Sequence, residues 1–407
     1  MCKMQKIEEK ANEALNKKSE YGEDLDLSRF TRQADIVPYD ENLSVLAQDE
    51  QDKLKQTGLD FSKQERSGTF LQADRSIVHC RSVHSGVEVL PIKEALQDAA
   101  RMDDYWWRAV DVGTDKYTAA SELDLDNGYF IRSLPGAKVV YPLQACLYIR
   151  KENFAQHLHN IVVAEEGSEL HIITGCATAP HLVSGLHIGV SEFYIKKGAK
   201  LTFTMIHNWG KDVHVRPRTG VIVEEDGVFI SNYISLRPLK SLQTNPKATL
   251  NGKGAVARFN SILVASPASE IDIGGVVVLK APETRAEIIS RAISTGGKII
   301  SRGLLVGEVP GVKAHLECRG LILSAKGIIH AIPELVGCVA GVEMSHEAAV
   351  GKIAQEEIEY LMARGLSEEE ATSTIVRGFL NVRIDGLPLE LQSEIDNAVK
   401  ESEKALS

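Results

Sequence analysis

Two cysteines and an adjacent His–Glu pair lie within one stretch near the end of the chain, residues 311–353. They are Cys318, Cys338, His346 and Glu347. A thiolate, an imidazole and a carboxylate that meet in space can bind a soft or borderline metal such as iron. The spacing between them is wide, so the fold must bring these side chains together before they can form such a site.

Each of these residues also has a purely structural interpretation. The charged residues around Cys318 alternate with Ala314 and Leu316, which predicts a strand with Cys318 on its apolar face. A free cysteine on such a face usually packs as a small core residue. His346 and Glu347 follow Ser345, which the pattern favours as the N-cap of a helix, where an acidic first turn is favourable.

A second group of candidates lies further upstream. Cys176 follows a glycine in HIITGCATAPHL, and the later segment TMIHNWG contains His207 and Trp209. The separation between the two segments is close to one structural repeat, so we expect the three to lie on adjacent coils. Cys176 is then either a buried turn residue or a thiol that lines an internal path. Trp209 favours packing, and the apolar run LVGCVAGV predicts that Cys338 is in the core.

The repeat that would position these residues is a glycine turn followed by an alternating apolar run. Five such turns follow one another at nearly constant intervals, and a regular period of this length is typical of a solenoid whose units pack on their neighbours. We therefore predict a mainly β protein with a right-handed parallel β-helix core at residues 126–343. The turn glycines are Gly136, Gly167, Gly198, Gly227 and Gly254.

The segments on either side of this core have a helical pattern. We predict an N-terminal helical or mixed domain at residues 1–125 and a C-terminal helical domain at residues 344–407. In the latter, Gly365 ends one amphipathic helix, and Ser367 with Glu370 forms a capping box that begins the next. A third helix is expected at residues 390–405.

Composition excludes several classes of protein. The chain has 407 residues, a net charge of -10 and 43% hydrophobic residues, and its mean hydropathy is -0.11. This acidic, globular composition argues against nucleic-acid or anionic-membrane partners. The six cysteines include no CxxC pair, which excludes a zinc ribbon and a ferredoxin-type ligand run. Without a signal peptide or an apolar run of transmembrane length, we expect a cytoplasmic protein with free thiols.

Familiar catalytic motifs are missing from the sequence. It contains no GxxxxGK[ST] phosphate loop, no HExxH and no GxSxG. A β-helix that cleaves polysaccharides would carry a recurrent carboxylate cluster on an outer face, and none is evident. A carbohydrate-active enzyme nevertheless remains one alternative interpretation of a β-helix.

From about residue 121 onward the chain resembles the SufB/SufD family, the scaffold subunits of the SUF iron–sulfur cluster assembly machinery. DNGYFIRSLPGAKVVYPLQ, AEEGSELHIITGCATAP and IHNW are similar to the entry and strands of the family's β-helix. ECRGLILS, SHEAAVGKI and EEIEYLMARGLSEEEATSTIVRGFL resemble its C-terminal region. SHEAAVGKI through GFL is the most specific of these blocks.

The resemblance is closer to SufB, whose chains have His-Glu here and a cysteine at a fixed spacing before it on a late strand. His346, Glu347 and Cys318 match that pattern and that spacing. Ala349-Val350-Gly351 is closer to SufD, which suggests one archaeal-type chain serving both roles. The resemblance implies that Cys318, Glu347 and His346 bind the iron–sulfur cluster, with a 4Fe–4S type favoured.

Further roles follow from the same resemblance. Cys176, His207 and Trp209 would line a sulfur-transfer path, although His207 replaces the family's glutamine. The chain would be a scaffold rather than an enzyme, a homodimer through its β-helix, and a donor to iron–sulfur acceptor proteins. A SufC-type ABC ATPase would supply ATP hydrolysis. A SufD-like structural subunit without its own cluster is the other alternative. The helix residues expected to dock the ATPase are Ile358, Tyr360, Leu361, Ile375 and Phe379.

Overall fold

The computed structural model describes residues 3–43, 46–59 and 65–380, and two large β-sheets dominate them. One sheet has ten strands and the other has twelve. Along the solenoid the strands pass from one sheet to the other, and strands of neighbouring coils pair in parallel within each sheet. The result is a β-solenoid of about eight turns, which confirms the predicted mainly β fold with a β-helix core.

The ten-stranded sheet has the order β2-β1-β5-β7-β9-β12-β15-β18-β20-β22, and the twelve-stranded sheet contains the others. The strands are β1 Gly68–Ala73, β2 Ser76–Ser82, β3 Val87–Pro91, β4 Tyr129–Ser133, β5 Leu143–Ile149, β6 Phe154–Ala164, β7 Glu169–Thr178, β8 Ser184–Ile195, β9 Lys200–Asn208, β10 Asp212–Val215, β11 Arg218–Val223, β12 Val228–Ser235, β13 Ser241–Thr244, β14 Lys247–Leu250, β15 Val256–Ala265, β16 Glu270–Ile273, β17 Val276–Leu279, β18 Arg285–Ser294, β19 Lys298–Gly307, β20 Lys313–Ile322, β21 Ile328–Gly337 and β22 Glu343–Gly351. The helices are α1 Lys3–Ala14, α2 Gln48–Lys55, α3 Ile92–Ala95, α4 Ala99–Met102, α5 Lys116–Leu123, α6 Gln355–Met362 and α7 Glu368–Leu380.

One turn of each coil places a residue in the left-handed region of backbone space. Four of the five predicted glycines adopt this conformation, but at the fourth turn Asp226, with φ 52°, takes the place expected for Gly227. A short polar side chain tolerates the left-handed region, which explains the shift by one position. The residues that adopt it recur once per coil: Gly136, Gly167, Gly198, Asp226, Gly254, Glu283, Gly311 and Gly341.

The N-terminal region is partly built into the solenoid. Helix α1 lies at the start of this region, for which a helical or mixed domain is predicted. Residues 68–91, however, form strands: β1 pairs in parallel with β5, and β3 pairs antiparallel with β4. Every residue of β1 is buried, and β1 lies between β2 and β5 in its sheet.

The C-terminal boundary also differs from the prediction. Strand β22 extends the solenoid to Gly351, beyond the expected end at residue 343, and α6 begins at Gln355. The expected third helix at residues 390–405 lies outside the described residues. In the part of the chain that the structure describes, no helix combines the length and apolar character needed to cross a membrane.

Candidate functional site

Cys318 faces the interior of the solenoid from β20. In its sheet it pairs with Ser290 on one side and Ala348 on the other. Its side chain is only 2% exposed, and its Sγ is hydrogen-bonded at 3.6 Å to Ser301 Oγ, which belongs to the opposite sheet. Burial raises the pKa of the Cys318 thiol, and the Ser301 hydroxyl opposes part of that shift. The predicted inward orientation is confirmed, and the ground state is a neutral thiol.

His346 and Glu347 lie in the last strand, β22, so the predicted helix start at Ser345 is wrong. The parallel ladder with β20 decides the conformation here: His346 pairs with Leu316, and Glu347 pairs with Glu317. Side chains alternate across a strand. His346 therefore lies on the same face as Cys318, whereas Glu347 lies on the opposite, outer face.

On that outer face, Glu347 takes part in a chain of ion pairs. Its Oε1 lies 3.1 Å from Arg319 Nη2, and Arg319 Nε lies 2.7 Å from Glu317 Oε1. Glu317 also pairs with Arg291 at 2.6 Å. Glu347 is exposed at the end of the solenoid. Its carboxylate is paired with Arg319, and the outer edge of its strand is unpaired within the part of the chain that the structure describes.

One chain does not assemble the three predicted ligands into a metal site. Among residues 3–43, 46–59 and 65–380, no group of three or more His, Cys, Asp or Glu side chains could hold a metal ion. Cys338, predicted to be in the core, is exposed directly after β21. It is exposed because none of the residues that the structure describes forms a further coil over the last one.

The final coil leaves its strand edges unpaired. Within the described residues, β21 pairs only with β19 and β22 pairs only with β20. Apolar side chains that a further coil would cover are exposed here. A long unpaired edge with exposed apolar residues is a site for pairing with another chain. The exposed residues are Ile328, Val336, Val339 and Val350.

A narrow internal cavity runs between the two sheets. Its volume is about 50 Å³. Ser290 and Ser301, which both neighbour Cys318, line one part, and Leu147, which pairs with Cys176, lines another. The cavity therefore extends from the coil of Cys176 toward the coil of Cys318.

Cys176, His207 and Trp209 lie together on adjacent coils, as their spacing predicts. Cys176 pairs with His207 in register, and the ring centroids of His207 and Trp209 are 5.5 Å apart. His207 Nδ1 is hydrogen-bonded at 3.1 Å to the hydroxyl of Tyr233, which lines the cavity. Burial raises the pKa of Cys176 and lowers that of His207. Both groups are therefore neutral.

The sequence pattern did not single out His187 and Gln156, which contact this region. His187 lines the cavity, and its ring centroid lies 4.8 Å from that of Trp209. Gln156 pairs with it in register from the preceding coil. The two residues are one repeat apart in the sequence. This separation could have identified them, since it places two polar side chains next to each other in a buried strand pair.

The predicted end of the first C-terminal helix and the predicted start of the second are both confirmed. Gly365 has φ 97° after the first helix. Ser367 N donates to Glu370 Oε2 at 2.8 Å while Glu370 N donates to Ser367 Oγ at 3.2 Å. These bonds complete the capping box and hold the pKa of Glu370 below its usual range. Of the residues expected to dock an ATPase, Ile358 is buried, Tyr360 is exposed, and Leu361, Ile375 and Phe379 are half-buried.

Comparison with known proteins agrees with this architecture. The family described as SUF system FeS cluster assembly, SufBD core domain, matches residues 147–379, more than half of the chain. The chain is 52% identical over 357 residues to an iron-sulfur cluster assembly SufBD family protein of Archaeoglobus fulgidus, covering 88% of this chain and 96% of that protein. A SufBD family protein of Methanothermobacter thermautotrophicus is 48% identical, with 98% of each chain covered.

A bacterial relative extends the comparison to a protein whose name specifies SufB. The iron-sulfur cluster assembly protein SufB of Bacillus subtilis is 31% identical over 302 residues, covering 73% of this chain and 64% of that protein. The residues that match the family model include Cys318 and the open last coil. The chain belongs to the SufBD family of iron–sulfur cluster assembly proteins.

Proposed function

We propose that this chain is a scaffold on which iron–sulfur clusters are built and from which they pass to acceptor proteins in the cytoplasm. The observation that carries this proposal is the position of Cys318. Its thiol lies next to the lining of the internal cavity and one coil from an unpaired edge. In this proposal Cys318, once uncovered, meets both material from the cavity and a second subunit at the edge.

A homodimer through the last coil completes the site in this proposal. Pairing of two open edges would bury the exposed apolar residues of both copies. His346 and Glu347 lie on β22 and would enter that interface from each copy. A cluster bound by Cys318 with help from an imidazole or a carboxylate is held less firmly than one bound by thiolates alone, which suits a cargo that must be released.

The burial of Cys318 requires a conformational change before it can bind iron. This thiol is 2% exposed and its pKa is raised, so it must be uncovered and deprotonated to become a ligand. The chain contains no GxxxxGK[ST] nucleotide-binding loop, so we propose that a SufC-type ABC ATPase docked on α6 and α7 supplies the energy. The chain itself then acts as a scaffold without ATP hydrolysis of its own.

The proposed cargo is an iron–sulfur cluster, with a 4Fe–4S type favoured, and its sulfur would travel along Cys176, His207 and Trp209. Anaerobic copurification of the chain with only its ATPase tests the proposal. We expect iron and acid-labile sulfide on the complex. A complex that forms but carries neither would support the alternative, a SufD-like structural subunit that needs a separate cluster-bearing partner.

A further inference from the structure

His187 has one defined hydrogen bond inside the solenoid. It lies on β8, is 2% exposed, and its Nδ1 is 3.0 Å from Oε1 of Gln156 on β6. The two residues are paired in register between adjacent coils. Which of them donates depends on the orientation of the Gln156 amide.

Two backbone carbonyls decide that orientation. Nε2 of Gln156 lies 3.1 Å from the carbonyl oxygen of Asp74 and 3.2 Å from that of Tyr148. Carbonyl oxygens only accept hydrogen bonds, so the amide NH₂ must point toward them and Oε1 must point toward His187. Nδ1 of His187 therefore carries the hydrogen, and Nε2 carries the lone pair.

The Nε2 atom lies at the wall of the cavity. A Cβ on Gly189, another lining residue, would come within 3.0 Å of it, so this glycine leaves room for the imidazole edge. Burial lowers the pKa of His187 to about 3, so the ring stays neutral. The hydroxyl of Tyr233 is already bonded to His207. His187 Nε2 is thus a hydrogen-bond acceptor available to a molecule in the cavity.

We infer that His187 Nε2 accepts the hydrogen bond of the S–H group of a small hydropolysulfide as sulfane sulfur moves through the internal cavity. This inference rests on the sulfur path of the proposed function and adds a positioning residue to it. A narrow cavity with neutral histidines favours the protonated, uncharged sulfur species over its anion. That species is a hydrogen-bond donor and needs an acceptor.

The tautomer can be measured without any cluster chemistry. The full chain is labelled with ¹⁵N-histidine, and long-range ¹H–¹⁵N spectra are compared for the wild type and Gln156→Met. The His187 signals are assigned by their loss in His187→Phe. We expect the Nδ1–H tautomer in the wild type and a shift toward Nε2–H in Gln156→Met. A wild-type His187 in the Nε2–H tautomer would overturn the inference.

The second experiment follows sulfur itself. Anaerobic protein is treated with inorganic polysulfide: a cysteine thiolate attacks a sulfane sulfur, and the polysulfide one sulfur shorter leaves. Mass spectrometry then quantifies sulfane sulfur on Cys176 and Cys318. In His187→Phe, which keeps an aromatic ring beside Trp209, we expect wild-type loading of Cys176 and about tenfold less sulfur on Cys318, the effect of one lost hydrogen bond.

The exposed His181 provides a matched control, since His181→Phe should load both cysteines as the wild type does. If His187→Phe is poorly folded, sulfur on Cys176 and Cys318 is compared between the wild type and Gln156→Met instead, with the same expected result. Wild-type sulfur levels on Cys318 in folded His187→Phe would refute the role of His187. Sulfur missing from Cys318 in the wild type itself would overturn the proposed path, and the role of His187 with it.

Discussion

The hydroxyl of Ser301 and the sulfur of Cys318 lie 3.6 Å apart across the interior, although their strands belong to different sheets. This is the polar contact that the structure gives the Cys318 thiol. It opposes part of the pKa increase that burial causes. Ser301 therefore influences when Cys318 becomes a thiolate, the form that binds iron and attacks sulfur.

Ser301→Ala should raise the pKa of Cys318 further, because it removes the hydrogen bond that favours the thiolate. The measurement is the pH dependence of Cys318 alkylation, followed by peptide mass spectrometry. Alkylation of the exposed Cys338 is the internal control and should not change. An unchanged or lower pKa for Cys318 would show that the Ser301 bond does not stabilise the thiolate.

Glycines with a positive φ at the turns of the solenoid should stabilise the fold, because other residues are strained in that conformation. Gly311 has φ 79° and an added Cβ would meet no atom within 4 Å, so Gly311→Ala tests conformational strain alone. We expect a loss of about 1–2 kcal/mol in the free energy of unfolding. Gly351 also has open space around it but an ordinary φ, so Gly351→Ala should change stability by less than about 0.5 kcal/mol. Equal effects in urea unfolding would contradict this account of the turns.

Asp74 predicts a pH-dependent stability. It accepts hydrogen bonds from the backbone N of Arg150 and Lys151 at 2.8 and 3.3 Å, and burial raises its pKa to about 6. Because the unfolded chain ionises first, the folded state binds the proton more tightly, and stability falls as pH rises through this range. Asp74→Asn keeps the acceptor oxygen without the charge.

Relative to the wild type, Asp74→Asn should therefore gain about 1–3 kcal/mol at pH 8, and the gain should be smaller at pH 5. Urea unfolding of both proteins at the two pH values measures it. A stability difference that is the same at both, or that grows toward low pH, would show that the Asp74 carboxyl does not titrate as its burial implies.

Helix α7 carries part of the surface proposed to dock a SufC-type ATPase. Ile375 and Phe379 are half-buried on it, while Ala371, Val376 and Leu380 are buried beneath. Ile375→Asp with Phe379→Asp should abolish coelution with the ATPase, since charge is costly at an apolar contact. Thr374→Asp, at an exposed position of the same helix, is the matched control and should coelute normally. If the folded double variant still coelutes, docking occurs elsewhere.

Local alternation and turn chemistry predicted much of this fold. Period-two alternation placed Cys318 on the inner face correctly, and one repeat of spacing placed Cys176 beside His207. The capping box at Ser367 depends only on neighbouring residues, and it is also confirmed. These features are set within one strand, one turn or one repeat.

The sequence-based predictions that were wrong concern positions where contacts between distant residues decide the structure. SHEAAVGKI has residues that favour a helix, but pairing with β20 makes it a strand. Cys338 lies in an apolar run and yet is exposed, because β21 belongs to the last coil of the described residues. The role of His187 depends on a Gln156 amide held by two carbonyls, one of them from Asp74. No local pattern encodes such a contact.

The central claim is that Cys318 anchors the cluster that this chain assembles. The most direct test is iron and acid-labile sulfide per complex, measured on anaerobically reconstituted protein with its ATPase for the wild type, Cys318→Ala and Cys338→Ala. We predict cluster on the wild type and on Cys338→Ala, and loss of both iron and sulfide in folded Cys318→Ala. Undiminished iron and sulfide in Cys318→Ala would contradict the account.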